Sequence, residues 1–173
     1  ALAAARPMPR PPAQAARDGE LFHAWLERRF NGPPTLLDAD SDSPVEGASA
    51  ALAALCEAFE RGRYADRVPV ACEVPFALVI GGQVVRGRLD AVFDDGEGGH
   101  QIVDWKTGSA HRADPLQLAI YRLAWAGIAG VPVERVDAVF FDVTGDQVVR
   151  PTELLAADEL ERLVAGLVEP PLA

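Results

Sequence analysis

Apolar residues near the start of the chain recur at the spacing of an amphipathic helix. Phe22, Trp25, Leu26 and Phe30 lie three or four positions apart, which predicts a helix over 19–30 that begins after an N-cap at Asp18. Residues 1–17 are rich in proline and have no such period, which indicates a linker. The folded domain is therefore expected to comprise residues 18–173.

A second apolar stripe predicts the next helix. Leu52, Leu55 and Phe59 lie on one face of it, and Gly62 is expected to end it. The preceding motif Ser43-Pro44-Val45-Glu46 has the form of a capping box with proline at the first helical position. We therefore expect this helix to begin close to that motif.

The pattern then changes to short runs of β-branched and apolar residues over 70–80, 84–93 and 101–106. Gly81-Gly82 separates the first two runs, and a glycine-rich turn over 94–99 separates the second and third. Three sequential strands joined by tight turns predict an antiparallel meander. A fourth strand over 135–143 is expected to pair in parallel with the third, because a helical crossover precedes it.

Capping boxes predict two more helices. Asp114-Pro115-Leu116-Gln117 is expected to open a helix that ends near Ala126, and the box over 158–161 is expected to open the last helix. Strands and helices together predict an α/β fold with a central mixed sheet of about four strands, flanked by helices.

Charged residues interrupt two of the predicted strands. Asp90 lies in an otherwise apolar run, and Asp104 and Lys106 share one face of the third strand because side chains alternate. Lys106 is the only lysine among sixteen basic residues, which suggests a need for a compact ammonium group instead of a guanidinium fork. Surface salt bridges are the alternative explanation, but charges on buried strands are costly unless they are paired or bound to metal.

This set of residues favours metal-assisted phosphodiester hydrolysis. Carboxylates on adjacent strands suit a hard divalent cation, Mg²⁺ or Mn²⁺, which can position a phosphate and stabilise the charge of an in-line attack. Lys106 would hold the attacking water or neutralise charge in the transition state. The sequence has no glycine-rich phosphate loop and no cysteine–histidine zinc spacing.

Three other polar residues have two interpretations each. His23 lies beside the apolar stripe of its helix, either as a surface or core-edge histidine or as a metal ligand directed toward Asp104. Gln117 is the third residue of its own capping box, and Tyr121 lies one turn later on the same face. Their positions alone leave both the structural and the functional interpretation open.

Composition restricts the class of protein. The net charge of −10 is the wrong sign for binding nucleic acid through bulk charge, so metal ions or other domains would have to supply positive charge. Two cysteines suit a reducing, cytoplasmic location and are too few for a four-cysteine iron–sulfur cluster, so no such cluster is expected. No apolar run approaches the roughly 20 residues of a membrane span, and no membrane association is expected.

The order and spacing of four motifs resemble those of the RecB-type nucleases in the PD-(D/E)XK superfamily. The motifs are His23, then Gly87-Arg88-Leu89-Asp90, then Ile-Val-Asp-Trp-Lys-Thr-Gly over 102–108, then Gln117-x-x-x-Tyr121. The resemblance extends from about residue 19 to residue 143. It implies a PD-(D/E)XK, or restriction-endonuclease-like, core.

The resemblance also implies a role for each site residue. His23, Asp90, Asp104 and the backbone carbonyl of Trp105 would hold the metal, and Lys106 would be catalytic together with the two aspartates. Among the residues that would face DNA are Gln117, Tyr121 and Arg88. Glu73 matches a recurrent acidic position and is expected to support the ligands from behind or to contact the metal itself.

The function implied is a Mg²⁺- or Mn²⁺-dependent deoxyribonuclease. Such domains commonly form the C-terminus of helicase–nuclease subunits that process double-strand breaks, as in RecBCD, AddAB and AdnAB complexes. The expected partners are then a single DNA strand fed by helicase motor domains upstream in the same chain, and a second helicase–nuclease subunit. The alternatives are a catalytically silent module that guides or docks DNA, and a stand-alone RecB-like nuclease.

Overall fold

A computed structural model describes residues 14–32, 49–108 and 114–166. The helices are α1 (Gln14–Asn31), α2 (Ala50–Arg61), α3 (Pro115–Ala129) and α4 (Ala157–Gly166). The strands are β1 (Ala71–Ile80), β2 (Gln83–Asp94), β3 (His100–Lys106), β4 (Val136–Asp142) and β5 (Gln147–Val149). A single 3₁₀ turn, Val133–Arg135, leads into β4.

The five strands form one mixed sheet in the order β1-β2-β3-β4-β5. The first three strands pair antiparallel, which confirms the predicted meander, and β4 pairs in parallel with β3, as the helical crossover predicts. The last strand, β5, pairs antiparallel with β4 over three residues and was not predicted. A three-residue strand is too short to show a periodic pattern.

The sheet carries a hydrophobic core on each face. Adjacent residues of β3 point to opposite sides, so Ile102 belongs to the core under α3 and Val103 to the core under α1 and α2. The α1–α2 side is mainly aromatic, with Trp105 edge-on to the rings of Phe59 and Phe141. β3 is therefore packed on both faces, which suits a strand that positions site residues.

Two predicted N-termini differ from the structure. The first helix begins at Gln14, and Asp18 is buried inside it, where its carboxylate accepts a hydrogen bond of 3.0 Å from Gln14 Nε2. Asp18 is therefore not the N-cap, and α1 extends into the stretch assigned to a linker. The predicted box over 43–46 lies outside the described residues; Ser49 caps α2 through its hydroxyl, which accepts from Leu52 N at 3.0 Å.

The ends of α3 and α4 agree with the sequence predictions only in part. Asp114 caps α3 as predicted, but the helix continues to Ala129 and ends at Gly130, whose φ of +67° is the left-handed conformation of a C-cap glycine. The predicted box at 158–161 is wrong, because α4 already begins at Ala157. Glu159 instead accepts a hydrogen bond of 2.9 Å from Ala156 N just before the helix. None of the helices in the described ranges is long and apolar enough to cross a membrane.

Candidate active site

The site lies where β2 and β3 stop pairing. Their backbone ladder ends at the pair Ala91 and Val103, although both strands continue beyond it. Past that point the Asp90 carboxylate accepts a hydrogen bond of 2.9 Å from the backbone N–H of Trp105. The Asp90 carboxylate thus replaces a backbone carbonyl of β2 as the acceptor for the Trp105 N–H, and β2 and β3 separate at this point to leave an opening in the sheet.

One side of the opening holds a group of three possible ligands. His23 Nδ1 lies 3.6 Å from Glu73 Oε1 and 3.7 Å from Asp90 Oδ1. One ligand atom from each of the three residues lies within 4.8 Å of the others. His23 comes from α1, whereas Glu73 lies in β1 between the residues that pair with Ala91 and Leu89 of β2.

Glu73 has an unusual backbone. Its φ is +52°, a left-handed conformation that a glutamate rarely adopts. The carboxylates of Glu73 and Asp90 also lie close enough together to repel each other. Strain and repulsion of this kind persist at functional sites where a bound cation offsets the cost. The geometry therefore places Glu73 in direct reach of a cation, beside His23 and Asp90.

The other side of the opening is a hydrogen-bonded chain that leads from β3 to α3. Lys106 Nζ lies 2.6 Å from Asp104 Oδ2 and donates to Gln117 Oε1 at 3.4 Å. The Gln117 amide donates to Asp104 Oδ1 at 3.0 Å and to the Tyr121 hydroxyl at 2.7 Å. Gln117 lies in the first turn of α3, and its side-chain hydrogen bonds go to Lys106, Asp104 and Tyr121 in the cleft.

A cleft of about 570 Å³ joins the two sides. One wall is the face of α1 that carries Gly19, Glu20, His23 and Glu27, and the opposite wall includes Gln117 and Tyr121. A Cβ atom at position 19 would meet Thr107 Oγ1 at 3.1 Å, so the missing side chain of Gly19 lets α1 approach the end of β3 closely. The helical spacing of Glu20, His23 and Glu27 is the sequence signal that would have placed these two glutamates at the site.

Burial and like charge control protonation in the cleft. Burial and the negative charge of Asp104 raise the pKa of Asp90 to about 7, although His23 and the Trp105 N–H act in the opposite direction. Burial disfavours the charged form of His23, but Glu73 and Asp90 together raise the pKa of the imidazole above its ordinary value. Burial also raises the pKa of Tyr121 to about 12, so its hydroxyl stays protonated at neutral pH.

The donor set fits a divalent cation. One imidazole nitrogen and two carboxylates converge, and hard oxygen donors with one nitrogen suit Mg²⁺ or Mn²⁺. A cation there would favour the charged forms of the acids and displace their protons. Asp104 faces the same cleft but is engaged with Lys106 and Gln117, and Trp105 lines the cleft beside it.

The sequence-predicted site residues meet in this one cleft. His23, Asp90, Asp104, Trp105, Lys106, Gln117 and Tyr121 all line it, and so do Arg88 and Glu73. Arg88 contacts the Glu73 carboxylate at 3.3 Å, and its side chain is 60% exposed. Arg88 therefore lies at the mouth of the cleft, where it is accessible to a substrate.

Comparison with solved structures supports the fold. A crystal structure of a Eubacterium rectale protein provisionally named an exonuclease is similar, with a TM-score of 0.53 at 13% identity over 91% of this chain. This chain spans 65% of that protein's length. The crystal structure of SSO0001 has 17% identity over 91% of this chain and 73% of its own, but a TM-score of 0.38 is too low to establish a shared fold.

The sequence comparisons identify the family. A search of curated proteins found no significant match. The sequence profile of the PD-(D/E)XK nuclease superfamily matches residues 2–169, nearly the whole chain. The chain belongs to the PD-(D/E)XK nuclease superfamily.

Proposed function

We propose that this domain is a Mg²⁺- or Mn²⁺-dependent deoxyribonuclease of the RecB type, which hydrolyses phosphodiester bonds. The observation that carries the proposal is the junction at the end of the β2–β3 ladder. There His23, Glu73 and Asp90 converge on one side, and Lys106 is held by Asp104 and Gln117 on the other. This arrangement pairs a site for a cation with a site for an ammonium group within one cleft.

His23 and Asp90 are proposed metal ligands, and Glu73, which lies as close to His23 as Asp90 does, is close enough to be a third. Asp104 and the Trp105 carbonyl complete the set that the resemblance implies, with Asp104 shared between the metal and Lys106. A bound cation would position the scissile phosphate and stabilise the negative charge that develops on it. These carboxylates leave the cleft acidic without the ion, so a phosphate would be repelled from it.

Lys106 is the proposed catalytic cation of the chain itself. Its ammonium group has three donors, of which Asp104 and Gln117 take two, so the third can hold the attacking water or a phosphate oxygen. Gln117 fixes the position of Lys106 and Asp104 through its two amide atoms. Tyr121 remains protonated near neutral pH, so its hydroxyl can donate a hydrogen bond to a phosphate oxygen.

Metal removal and ligand replacement test this proposal together. We expect cleavage of a single-stranded oligonucleotide in Mn²⁺ to stop on addition of EDTA and to return with excess Mn²⁺. In calorimetry, His23→Ala should weaken Mn²⁺ binding by at least about tenfold, because a direct ligand is lost. The control is His100→Ala, a histidine on β3 that packs against Trp125 and is not part of the cleft. Cleavage that is insensitive to EDTA, or equal Mn²⁺ affinity in both variants, would contradict the proposed metal site.

The biological setting remains a further proposal. A domain with a net charge of −10 does not hold a DNA strand through its bulk charge. We therefore propose that helicase motor domains in the same polypeptide feed a single strand to the cleft, and that a second helicase–nuclease subunit assists them. Double-strand-break processing in the cytoplasm is the corresponding role. The parent reading frame tests this: helicase motifs upstream would support it, whereas their absence would favour a stand-alone nuclease. A silent guiding or docking module would retain DNA without cutting it.

A further inference from the structure

A second groove lies next to the cleft, on the side of α3. It has a volume of about 270 Å³, and most of its exposed lining is apolar. Phe76, Leu116 and Ile120 contribute to it, and Gln117 and Tyr121 line both the groove and the cleft. The groove thus adjoins the cleft at Gln117, whose side chain bonds to Asp104 and Lys106, and at Tyr121, which bonds to Gln117.

A glycine shapes this groove. Gly87 pairs with Phe76 across β1 and β2, and a Cβ atom at position 87 would lie 2.6 Å from the Phe76 ring. The missing side chain lets the ring lie over the strand, where it makes an edge-to-face contact with Tyr121 at 5.8 Å. Two aromatic rings therefore form a fixed corner between the groove and the cleft.

The rim of the groove carries a cation. Arg86 is exposed and has no hydrogen bond or ion pair with any other residue that the structure describes. It lies two positions from Arg88, so the two side chains leave the strand on the same face, with their Cα atoms about 7 Å apart. Among the described residues that line the groove, Asp114 is the one acid, and it already accepts from Leu116 N at 3.0 Å at the positive end of α3, which offsets its charge.

We propose that this groove binds the base of the nucleotide next to the scissile phosphate, with Arg86 on the backbone phosphate of that nucleotide. The inference rests on the proposed nuclease function of the adjoining cleft. Aromatic and aliphatic side chains beside an arginine are the usual means of holding single-stranded nucleic acid without reading its sequence. Because Tyr121 lines both cavities, a phosphate in the cleft and a base in the groove would belong to neighbouring parts of one strand.

This placement defines the class of substrate. A base inside a duplex is stacked and paired, so it reaches a side groove only after it has been unpaired and extruded from the stack, which costs free energy. A single strand presents its bases without that cost. The groove therefore makes single-stranded DNA the preferred substrate, and it predicts tolerance of any base, since apolar contacts carry no hydrogen-bond pattern.

Abasic substitution tests the groove position by position. The substrates are oligothymidylates that differ only in the location of one abasic residue, and mass spectrometry of the products locates each cut. We expect kcat/KM to fall about five- to hundredfold when the abasic residue lies immediately on one side of the cut, because the contact of one base is lost. An abasic residue three or more nucleotides away should have little effect.

Two groove variants complete the test. Ile120→Thr removes apolar contact area within α3, and Ile128→Thr, the same change at an exposed position of the same helix away from the groove, is its matched control. Arg86→Gln removes the rim cation at an exposed position, and Arg61→Gln on α2 is its control. Both groove variants should lower kcat/KM on intact strands, and in Ile120→Thr the abasic penalty should shrink, because that variant and the abasic substrate remove part of the same contact.

The outcomes separate this inference from the proposed function. If the native protein cuts single strands but shows no abasic penalty at any position, or if Ile120→Thr retains the full penalty, the groove proposal is overturned and the nuclease stands. If the native protein cuts no DNA at all, both fall. Thermal unfolding of each variant shows whether its fold is intact, and Arg86→Gln supplies an exposed substitution should Ile120→Thr unfold.

Discussion

Asp90 and Asp137 are partly buried aspartates near opposite ends of the strands that surround β3. Asp137 is paired with Arg150 and accepts a hydrogen bond of 3.0 Å from Gln101. Burial works against the charged form of Asp137, but Arg150 and Gln101 hold its pKa below the ordinary value. Asp90 has only a histidine and one backbone N–H to oppose burial and two neighbouring acids, and its pKa is raised to about 7.

The difference separates a structural acid from one suited to bind a ligand. Near Asp137 the fold itself supplies a cation, Arg150, and a hydrogen-bond donor, Gln101. The Tyr64 hydroxyl in turn donates to Gln101 Oε1 at 3.0 Å. Around Asp90 the fold concentrates negative charge and leaves it incompletely neutralised. Uncompensated negative charge of this kind is expected at a metal site without its metal ion.

The two aspartates should differ most in their effect on DNA cleavage when each is replaced by asparagine. Asp90→Asn keeps an acceptor for the Trp105 N–H but removes a carboxylate ligand, so cleavage in Mn²⁺ should fall at least about 10²-fold. The matched Asp137→Asn substitution should leave cleavage within about twofold, because Asp137 is remote from the cleft. A gel assay on a single-stranded oligonucleotide measures both. Equal losses in the two variants would show that the aspartates do not differ in role.

The pH dependence of stability should also differ in sign between the two acids. Because the folded-state pKa of Asp90 is raised from 3.8 to about 7, its favourable contribution is complete below pH 3.8 and is lost as the pH rises through 7. Asp137 has a lowered pKa, so its contribution is present above 3.8 and is lost as the pH falls. Urea unfolding of the metal-free protein at pH 5 and pH 8 measures the contribution of Asp90, because that of Asp137 is constant between these two values. Relative to the native protein, Asp90→Asn should gain stability between these pH values, and a relative loss would refute the assignment.

The smallest expected effect concerns the surface ion pair of Asp137. Arg150→Gln should lower the free energy of unfolding by at most about 1 kcal/mol, because both partners are about half exposed and solvent screens their attraction. Chemical denaturation at low and high salt should show the difference shrinking as salt rises. A loss of several kcal/mol would mean that this end of the sheet depends on electrostatics as strongly as the cleft does.

Periodicity and turn signals predicted most of the fold. The apolar runs placed β1 to β4, and Asp114-Pro115 placed the start of α3, because a cap and a fixed proline φ act within a few residues. The predicted N-cap at Asp18 was wrong, because a helix N-cap and a buried aspartate that bonds back to Gln14 look alike in sequence. The extent of α1 depends on its packing against the end of β3, a contact distant in sequence.

The residues of the candidate site were predicted from different kinds of sequence signal. Asp90, Asp104 and Lys106 were indicated by charges within apolar strands, whereas only the resemblance decided between the two interpretations of His23, Gln117 and Tyr121. The close contact of Glu73 with His23 was not predictable, because it depends on a left-handed φ at residue 73 and on the end of the β2–β3 ladder. No sequence period signals either feature. The groove beside Tyr121 likewise requires knowledge that Gly87 lies opposite Phe76.

The most direct test of the central claim is the rate at which Lys106→Ala cleaves single-stranded DNA in saturating Mn²⁺. The account predicts a fall of at least about 10²-fold relative to the native protein, with thermal unfolding and Mn²⁺ binding largely retained, since Lys106 is proposed to act on the reacting groups and not to ligate the metal. A folded, Mn²⁺-binding Lys106→Ala protein that cleaves at the native rate would contradict it.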